Sequence, residues 1–549
     1  MLFKYIHRTK KAVFIFTMSA ILLACNTTKK DTPLFEALSA EQTGIQFENK
    51  LHPNEQFNMF HYMYYYNGAG VATGDFNNDG KADIFFASNE GDNQLYLNQG
   101  KLKFTEVSKQ AQIPQDSAWN TGVSVVDINN DGLLDIYICR LGNFEKFVSK
   151  NQLLICVGIE NGIPKYKEAA AEYGLDFSGF STQASFFDYD QDGDLDVFLL
   201  NHSVHQNGTF APRTSFMGTF DPLSGDRIFA NNNGRFEDVT KASKINSTAI
   251  SYGLGVVMSD INLDGWVDIY AGNDFHENDY LYINQKNGSF KDEQKERLMH
   301  TSQYSMGVDA ADLNNDGFPE IVSMDMLPKD PYILKRSLGE DDYDIYQYKI
   351  SVGYDYQFTR NNLQWNRRNG KFSEVGMYAG MFATDWSWAT LLMDFDNDGY
   401  KDIFVANGIP KRMNDMDYVN YVSNQEIQEK IRDNKMGEKD MALIDRFPEI
   451  KIPNQFFLNK KGLSFDDKEK AIVNNPSSYS NGAAYADFDN DGDLDLVVNN
   501  VNDKSFIYEN KSNQDTTAHS VSVTLKGAAK NINGRVGLIV LKNALVLAR

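Results

Sequence analysis

Positive charge is what this sequence is short of. Against 75 Asp and Glu it sets 53 Lys and Arg, a formal net charge of −22 over 549 residues. That argues against a general binder of nucleic-acid backbones, which needs a basic surface to displace counterions. Beyond residue 25, long apolar runs are missing too, so no segment there is expected to span a bilayer. There is no G-x-S-x-G elbow, no H-E-x-x-H and no phosphate-cradling glycine loop, which leaves an enzyme reading thinly supported. Histidine is sparse, at eight. His202 and His205 are spaced H-x-x-H, which reads as a solvated loop pair ahead of a transition-metal pair.

Cysteine is scarcest of all, at three. Aligning DIYIC and NQLLIC with DIFFA and NQLYLN places Cys139 near the loop end of a hairpin and Cys156 near its base. An offset of about four residues is roughly 13 Å at strand rise, beyond disulfide reach. Two free, buried thiols are expected.

What is abundant is a short acidic loop. DFNNDGKAD begins at Asp75 and recurs as DINNDGLLD, DYDQDGDLD, DINLDGWVD, DLNNDGFPE, DFDNDGYKD and DFDNDGDLD. Position 1 is Asp75, Asp127, Asp188, Asp260, Asp312, Asp394 or Asp487. Position 3 is Asn77, Asn129, Asp190, Asn262, Asn314, Asp396 or Asp489. Position 5 is Asp79, Asp131, Asp192, Asp264, Asp316, Asp398 or Asp491. Position 9 is Asp83, Asp135, Asp196, Asp268, Glu320, Asp402 or Asp495. At position 7 the main-chain carbonyl is the donor, from Lys81, Leu133, Asp194, Trp266, Phe318, Tyr400 or Asp493. Glycine at position 6 permits the sharp turn. Oxygen donors at this spacing, without His or Cys, suit Ca²⁺ rather than zinc or copper. An EF-hand also needs an acid at position 12 and flanking helices. Position 12 here is Phe86, Ile138, Leu199, Ala271, Ser323, Val405 or Val498, all strand residues. Up to seven structural calcium ions would offset 14 of the 22 net negative charges.

Each loop lies between a small apolar stretch and a β-rich run such as DIFFAS. A segment N-x-L-x-x-N and a glycine turn follow, then a last strand. Four strands in each of seven units is an all-β, seven-bladed propeller. The last unit lacks a fourth strand, and LFEALSAEQTGIQF near the N-terminus resembles one. The N-terminal strand is therefore expected to close the ring and cover its edge.

The first 25 residues read as a leader: basic residues, an apolar run from Ala12 to Leu23, then Leu22-Leu23-Ala24-Cys25. That tetrapeptide resembles a bacterial lipobox, which implies a lipid on Cys25, a tether over 26–34 and a membrane-anchored place in the cell envelope, at the outer membrane or cell surface.

The repeated G-x₄-D-x-[ND]-x-D-G-x₂-[DE], followed by strands, resembles the FG-GAP/VCBS repeats of integrin-α-type propellers, over about 35–511. With YMYYYNGAGVATGDFNNDG in the first repeat, the arrangement is similar to bacterial relatives of the cartilage acidic protein family. That resemblance implies a following ASPIC/UnbV domain, and HSVSVTLKGAAKNINGRVG resembles its opening. Residues 512–549 are therefore expected to be a tail that resembles a truncated start of that domain and departs from the pattern after Gly537. The glycine five residues before each loop is replaced by Gln183 and Ala389.

Three long insertions, 202–226, 325–360 and 408–453, are expected on the face opposite the acidic loops, the last carrying a helix within 424–447. Aromatics entering the first strands share that face: Tyr64, Tyr65 and Tyr66, Trp119, Trp386 and Trp388, and Tyr479. They read either as a ligand face or as a plug between blades, the plug being favoured. If they form a ligand face, substituting Trp386 and Trp388 weakens binding without unfolding. The function expected is a monomeric, calcium-braced binding or adhesion module for a glycan or protein. The alternative is a polysaccharide-processing enzyme or accessory subunit with its site among the insertions.

Overall fold

The computed structural model describes residues 33–514 apart from 117, 146, 205–210 and 433–435, together with two short strands, Leu538–Leu541 and Ala544–Leu547. The leader ending at Cys25, nearly all of 26–34, His205 and most of 512–549 lie outside the described residues.

Seven four-stranded antiparallel sheets follow one another as the blades of a propeller. Blade 1 comprises Val71–Gly74, Asp83–Phe86, Gln94–Asn98 and Phe104–Glu106. Blades 2 to 6 repeat that order from Trp119–Val126, Ser181–Phe187, Gly253–Ser259, Val308–Ala311 and Ser387–Met393. Blade 7 takes three strands from the C-terminal end, Ser480–Ala486, Asp495–Asn500 and Phe506–Asn510, and its fourth, Phe35–Leu38, from the N-terminal end. Phe35 pairs with Asn510 and Leu38 with Ile507. The strand is also gripped from its other side, where Ala37 N–H donates to Val473 O at 3.0 Å and Val473 N–H to Phe35 O at 2.9 Å. The ring closes as the strand pattern predicts.

Second strands such as DIFF, DVFLLN and DIFVAN are buried along their whole length, because each blade packs on a neighbour through both faces. Continuous β-branched and aromatic runs are the signature of that environment. The same geometry separates the thiols. Cys139 packs with Leu199 and Phe229 toward blade 3, and Cys156 with Phe85 and Leu95 toward blade 1. Both are free and buried.

The first strands crowd the axis, which explains the glycine five residues before five of the seven loops. A Cβ on Gly307 would lie 1.9 Å from Trp388 O, and one on Gly122 2.3 Å from Thr182 O. At these glycines the inner strands approach so closely that a side chain would meet the next blade's backbone. A cavity of about 860 Å³ remains along the axis, from Tyr62 and His202 at one end to Leu263 and Lys401 beside the acidic loops.

All three insertions join second to third strands, the class expected to lie opposite the acidic loops, and described residues of each pack on the axial core. Residue 408–453 contributes Ile409, Ile444 and Phe447 to the axial core, and 325–360 contributes Met326 and Tyr354. The expected helix over 424–447 is two, Gln425–Arg432 and Glu438–Ile444.

Candidate metal centres

Each acidic loop is held by its own carboxylates. In the first, Asp75 accepts from Asp79 N–H at 2.9 Å and from Gly80 N–H at 2.7 Å. Position 5 then turns the chain back, Asp79 Oδ1 accepting from Lys81 N–H at 3.0 Å. The same bonds recur at Asp127, Asp260, Asp312, Asp394 and Asp487. Position 4 takes φ between 54° and 64° and the position-6 glycines between 84° and 98°. The turn therefore demands two left-handed residues, which Gly supplies freely and Asn tolerates.

Position 9 is the anchor. Its carboxylate is at most 1% exposed in all seven loops. In loop 1, Asp83 accepts from Phe76 N–H at 3.0 Å and from Asn98 N–H of the third strand at 2.7 Å. Asp135, Asp196, Asp268, Asp402 and Asp495 repeat both bonds. Glu320 accepts from Leu313 N–H at 2.8 Å and from Asn314 Nδ2 at 2.9 Å.

Carboxylates so packed are poor anions without a cation. Burial first, and then the neighbouring aspartates, push Asp83, Asp135 and Asp268 to about 7, Asp196 and Glu320 to about 8 and Asp495 to about 9. In three loops, positions 1, 3 and 9 bring one oxygen each within 4.8 Å of the others: Asp188, Asp190 and Asp196; Asp394, Asp396 and Asp402; Asp487, Asp489 and Asp495. Asn stands at position 3 in the other four. Buried position-3 oxygens of Asp396, Asp489 and Asn314 have no hydrogen-bond partner. An acceptor buried without a donor is costly, and an oxygen-seeking cation relieves that cost. These residues fit a hard divalent ion.

The raised values carry a sign. An unfolded Asp titrates near ~3.9, so between about pH 4 and pH 8 the metal-free native state holds more protons than the unfolded chain. Metal-free stability then rises as pH falls through that window. His202 and His276, which burial lowers to about 3 and about 4, oppose this only below about pH 6.5. In chelator, the melting midpoint is expected to be higher at pH 6 than at pH 8; a lower midpoint at pH 6 contradicts the assignment.

Two features escape a reading of the loops alone. The closing Asn of N-x-L-x-x-N is a clasp between blades. Asn98 Nδ2 donates to Ala82 O of its own blade at 2.9 Å and to Phe488 O of blade 7 at 2.7 Å. Asn284, Asn366, Asn459 and Asn510 do the same toward blades 3, 4, 5 and 6. Blade 2 has Cys156 at that place, and its thiol has no such reach. The recurrence of Asn was the available signal.

Position 4 makes a second ring. Asn78, Gln191, Asn315, Asn397 and Asn490 each donate to the position-6 glycine carbonyl of the next blade, at 2.7–3.4 Å. Leu263 interrupts the ring, left-handed at φ 56° and 42% exposed. Leu263→Asn is expected to raise stability by about 1 kcal/mol, through relief of the left-handed penalty and a new bond to Gly317 O. An unchanged or lowered melting midpoint contradicts this.

The aromatic set lies elsewhere and is closed. Tyr64, Tyr65, Tyr66, Trp119, Trp386, Trp388 and Tyr479 are each at most 8% exposed and belong to the axial core. Trp119 packs on Phe57 at 4.9 Å and on Tyr65 at 5.1 Å between ring centroids. Two polar tips are bound inward, Tyr65 O–H donating to Glu90 at 2.8 Å and Trp388 Nε1–H to Gly408 O at 2.8 Å, while Trp386 Nε1–H is buried without a partner. They fill the channel mouth rather than line an open face.

His202 is buried there, not solvated. Thr182 Oγ1 lies 2.9 Å from Gly253 O and 3.1 Å from His202 Nδ1. The carbonyl can only accept, so the hydroxyl proton goes to it and Nδ1–H donates to Oγ1. Nε2 then accepts from Tyr62 O–H at 2.8 Å. With that lone pair occupied, His202 is not a free metal ligand.

A family model of the FG-GAP-like repeat matches residues 75–138, 188–271, 260–323 and 350–405. Among curated proteins, cartilage acidic protein 1 of Homo sapiens is 32% identical over 154 residues, 28% of this chain and 22% of that protein. Its Xenopus tropicalis counterpart is 30% identical over 157 residues, 28% of this chain and 23% of that one. The match thus spans less than a quarter of these relatives. Among solved structures, an Agrocybe aegerita lectin that recognises non-reducing terminal N-acetylglucosamine overlaps with a TM-score of 0.37 at 14% identity, over 72% of this chain and 79% of the lectin. The V. cholerae biofilm matrix protein Bap1 overlaps with a TM-score of 0.24 at 13% identity, over 68% and 43%. Nothing in the site's chemistry follows from overlaps this loose.

Proposed function

This chain is an FG-GAP-repeat β-propeller, and we propose that it is a calcium-braced binding or adhesion module for a glycan or protein, held at the cell envelope by a lipid on Cys25. The observation that carries the calcium reading is the buried, partnerless position-3 oxygen of Asp396, Asp489 and Asn314, set beside the position-1 carboxylate, half-buried at Asp394 and Asp487, and the buried position-9 carboxylate. Calcium accepts six to eight oxygens in flexible geometry. It would neutralise each loop, fix the hairpin that carries it and make folding metal-dependent. The chain's part is to present the donors: positions 1 and 5 hold the turn through main-chain N–H groups, and position 9 ties it to the third strand.

Binding then falls to the face built by the insertions, because the acidic loops are committed to the ions. The direct test is a glycan array with protein lacking residues 1–25, in calcium and in chelator, with product release followed. Calcium-dependent retention without shortened products is expected for a glycan partner, and a blank array with folded protein directs the search to a protein partner. Release of shortened products contradicts the module reading. For the anchor, Cys25→Ser is expected to move the full chain out of the membrane fraction; unchanged partition contradicts lipidation there.

A further inference from the structure

Among the described residues, exposed large apolar side chains are concentrated in one segment. Tyr332, Leu334, Leu338, Tyr343, Ile345, Tyr348 and Tyr356 are all at least 41% exposed, and all lie in the insertion 325–360. Isolated exposed hydrophobics are ordinary; a concentration within 25 residues is not.

The segment is held firmly enough to be a preformed surface. Asp330 caps the helix Pro331–Arg336 by accepting from Tyr332 and Ile333 N–H. Arg336 reaches Asp415 at 2.9 Å. Lys349, 4% exposed, ties the helix Tyr343–Ser351 to Asp341 at 2.8 Å. Tyr354 O–H donates to Ala211 O at 3.0 Å, and Gln357 Nε2 to Glu277 O at 2.9 Å. Tyr346 stacks between Tyr356 and Phe358, with centroids 6.4 and 6.2 Å away. The exposed rings are therefore not unfolded chain.

Charge selects the partner. Between 337 and 356 the sequence holds Glu340, Asp341, Asp342, Asp344 and Asp355 against one basic residue, Lys349, which already faces Asp341. Rings flanked by carboxylates bind guanidinium and ammonium groups, the face of the ring through its quadrupole and the carboxylate through a charge-assisted bond. The insertion shows this pairing internally: Arg336 Cζ lies 5.4 Å from the Tyr332 centroid while bonding Asp415, and Arg360 Cζ 5.0 Å from that of Phe358.

We propose that the surface around Tyr343, Ile345, Tyr348 and Tyr356 docks a basic, Arg- and Lys-rich segment of a partner protein. This rests on the binding-module reading and names its partner class. Aliphatic stems lie along the rings and Ile345, and the cationic heads meet Glu340, Asp342 and Asp344.

The test uses the full chain in calcium and measures binding of an alternating Arg-Gly decapeptide by calorimetry, with a neutral chito-oligosaccharide as the second probe. Tyr343→Ala with Tyr348→Ala, and separately Asp342→Asn with Asp344→Asn, are each expected to weaken the peptide at least tenfold. Neutralising Glu237 and Glu296, acids on the outer edges of blades 3 and 4, is expected to change it less than twofold. These side chains are exposed, and unchanged circular dichroism confirms folding. Equal losses from both acid pairs mean that the peptide follows overall charge, and overturn the proposal; so does absence of peptide binding. Oligosaccharide binding that is lost with the tyrosines overturns the basic partner while leaving the module reading standing.

Discussion

In chelator the protein is expected to melt about 10 °C lower than in 1 mM calcium. A site with a dissociation constant of about 10⁻⁴ M, the tight end of the range for weak extracellular calcium modules, contributes about 1.4 kcal/mol at that concentration. Seven sites sum to about 10 kcal/mol, and a unit of this length loses roughly 1 °C per kcal/mol. The loss is cooperative across the ring. Five loops hand their position-2 carbonyl to the next blade's clasp, as Phe488 does to Asn98, so loosening one of them releases two blades. Magnesium at the same concentration is expected to restore little, since these nine-residue loops suit a large, flexible coordination sphere better than a small octahedral one. A midpoint unchanged by chelator contradicts the braced-ring account.

Replacing Trp388 by Ala is expected to cost about 3–5 kcal/mol of stability. The side chain is 8% exposed within the axial core, and its Nε1–H is bonded to Gly408 O. Removing it opens a void and leaves a carbonyl of the 408–453 insertion without its donor. Trp386, equally buried, is expected to behave alike. This reverses the outcome expected from a ligand face, where both substitutions would weaken binding and spare the fold. Chemical denaturation of Trp388→Ala in saturating calcium measures it; a change under 1 kcal/mol would return these rings to the candidate ligand surface.

The two predictions mark where the sequence was legible. Loops, strand order and ring closure follow from local rules: glycine at a left-handed turn, β-branched runs buried on both faces, and a missing fourth strand supplied from the other terminus. Burial of the aromatics does not. HYMYYYN and TDWSW carry the same residues whether they line a mouth or fill it, and the difference is made by 51–67 and 408–453 folding over the axis, which no periodicity encodes. His202 shows the same limit: its H-x-x-H spacing suits a metal or a solvated loop, and only Tyr62, 140 positions earlier, and Thr182 reveal a neutral buried link. The Asn clasp was visible as a repeat, but its purpose needed the neighbouring blade. The exposed tyrosines of 325–360 carry no sequence signal of their own, because packed residues of that insertion, such as Met326 and Tyr354, are interspersed with displayed ones.

The most direct test is a count. Protein comprising residues 26–549, freed of metal and titrated with calcium at pH 7.5, is followed by native mass spectrometry and calorimetry. The account predicts seven calcium ions per chain, one fewer on replacing Asp489 by Ala, and proton release on binding as the position-9 carboxylates ionise. Retention of no calcium, or of one ion unaffected by Asp489→Ala, contradicts it.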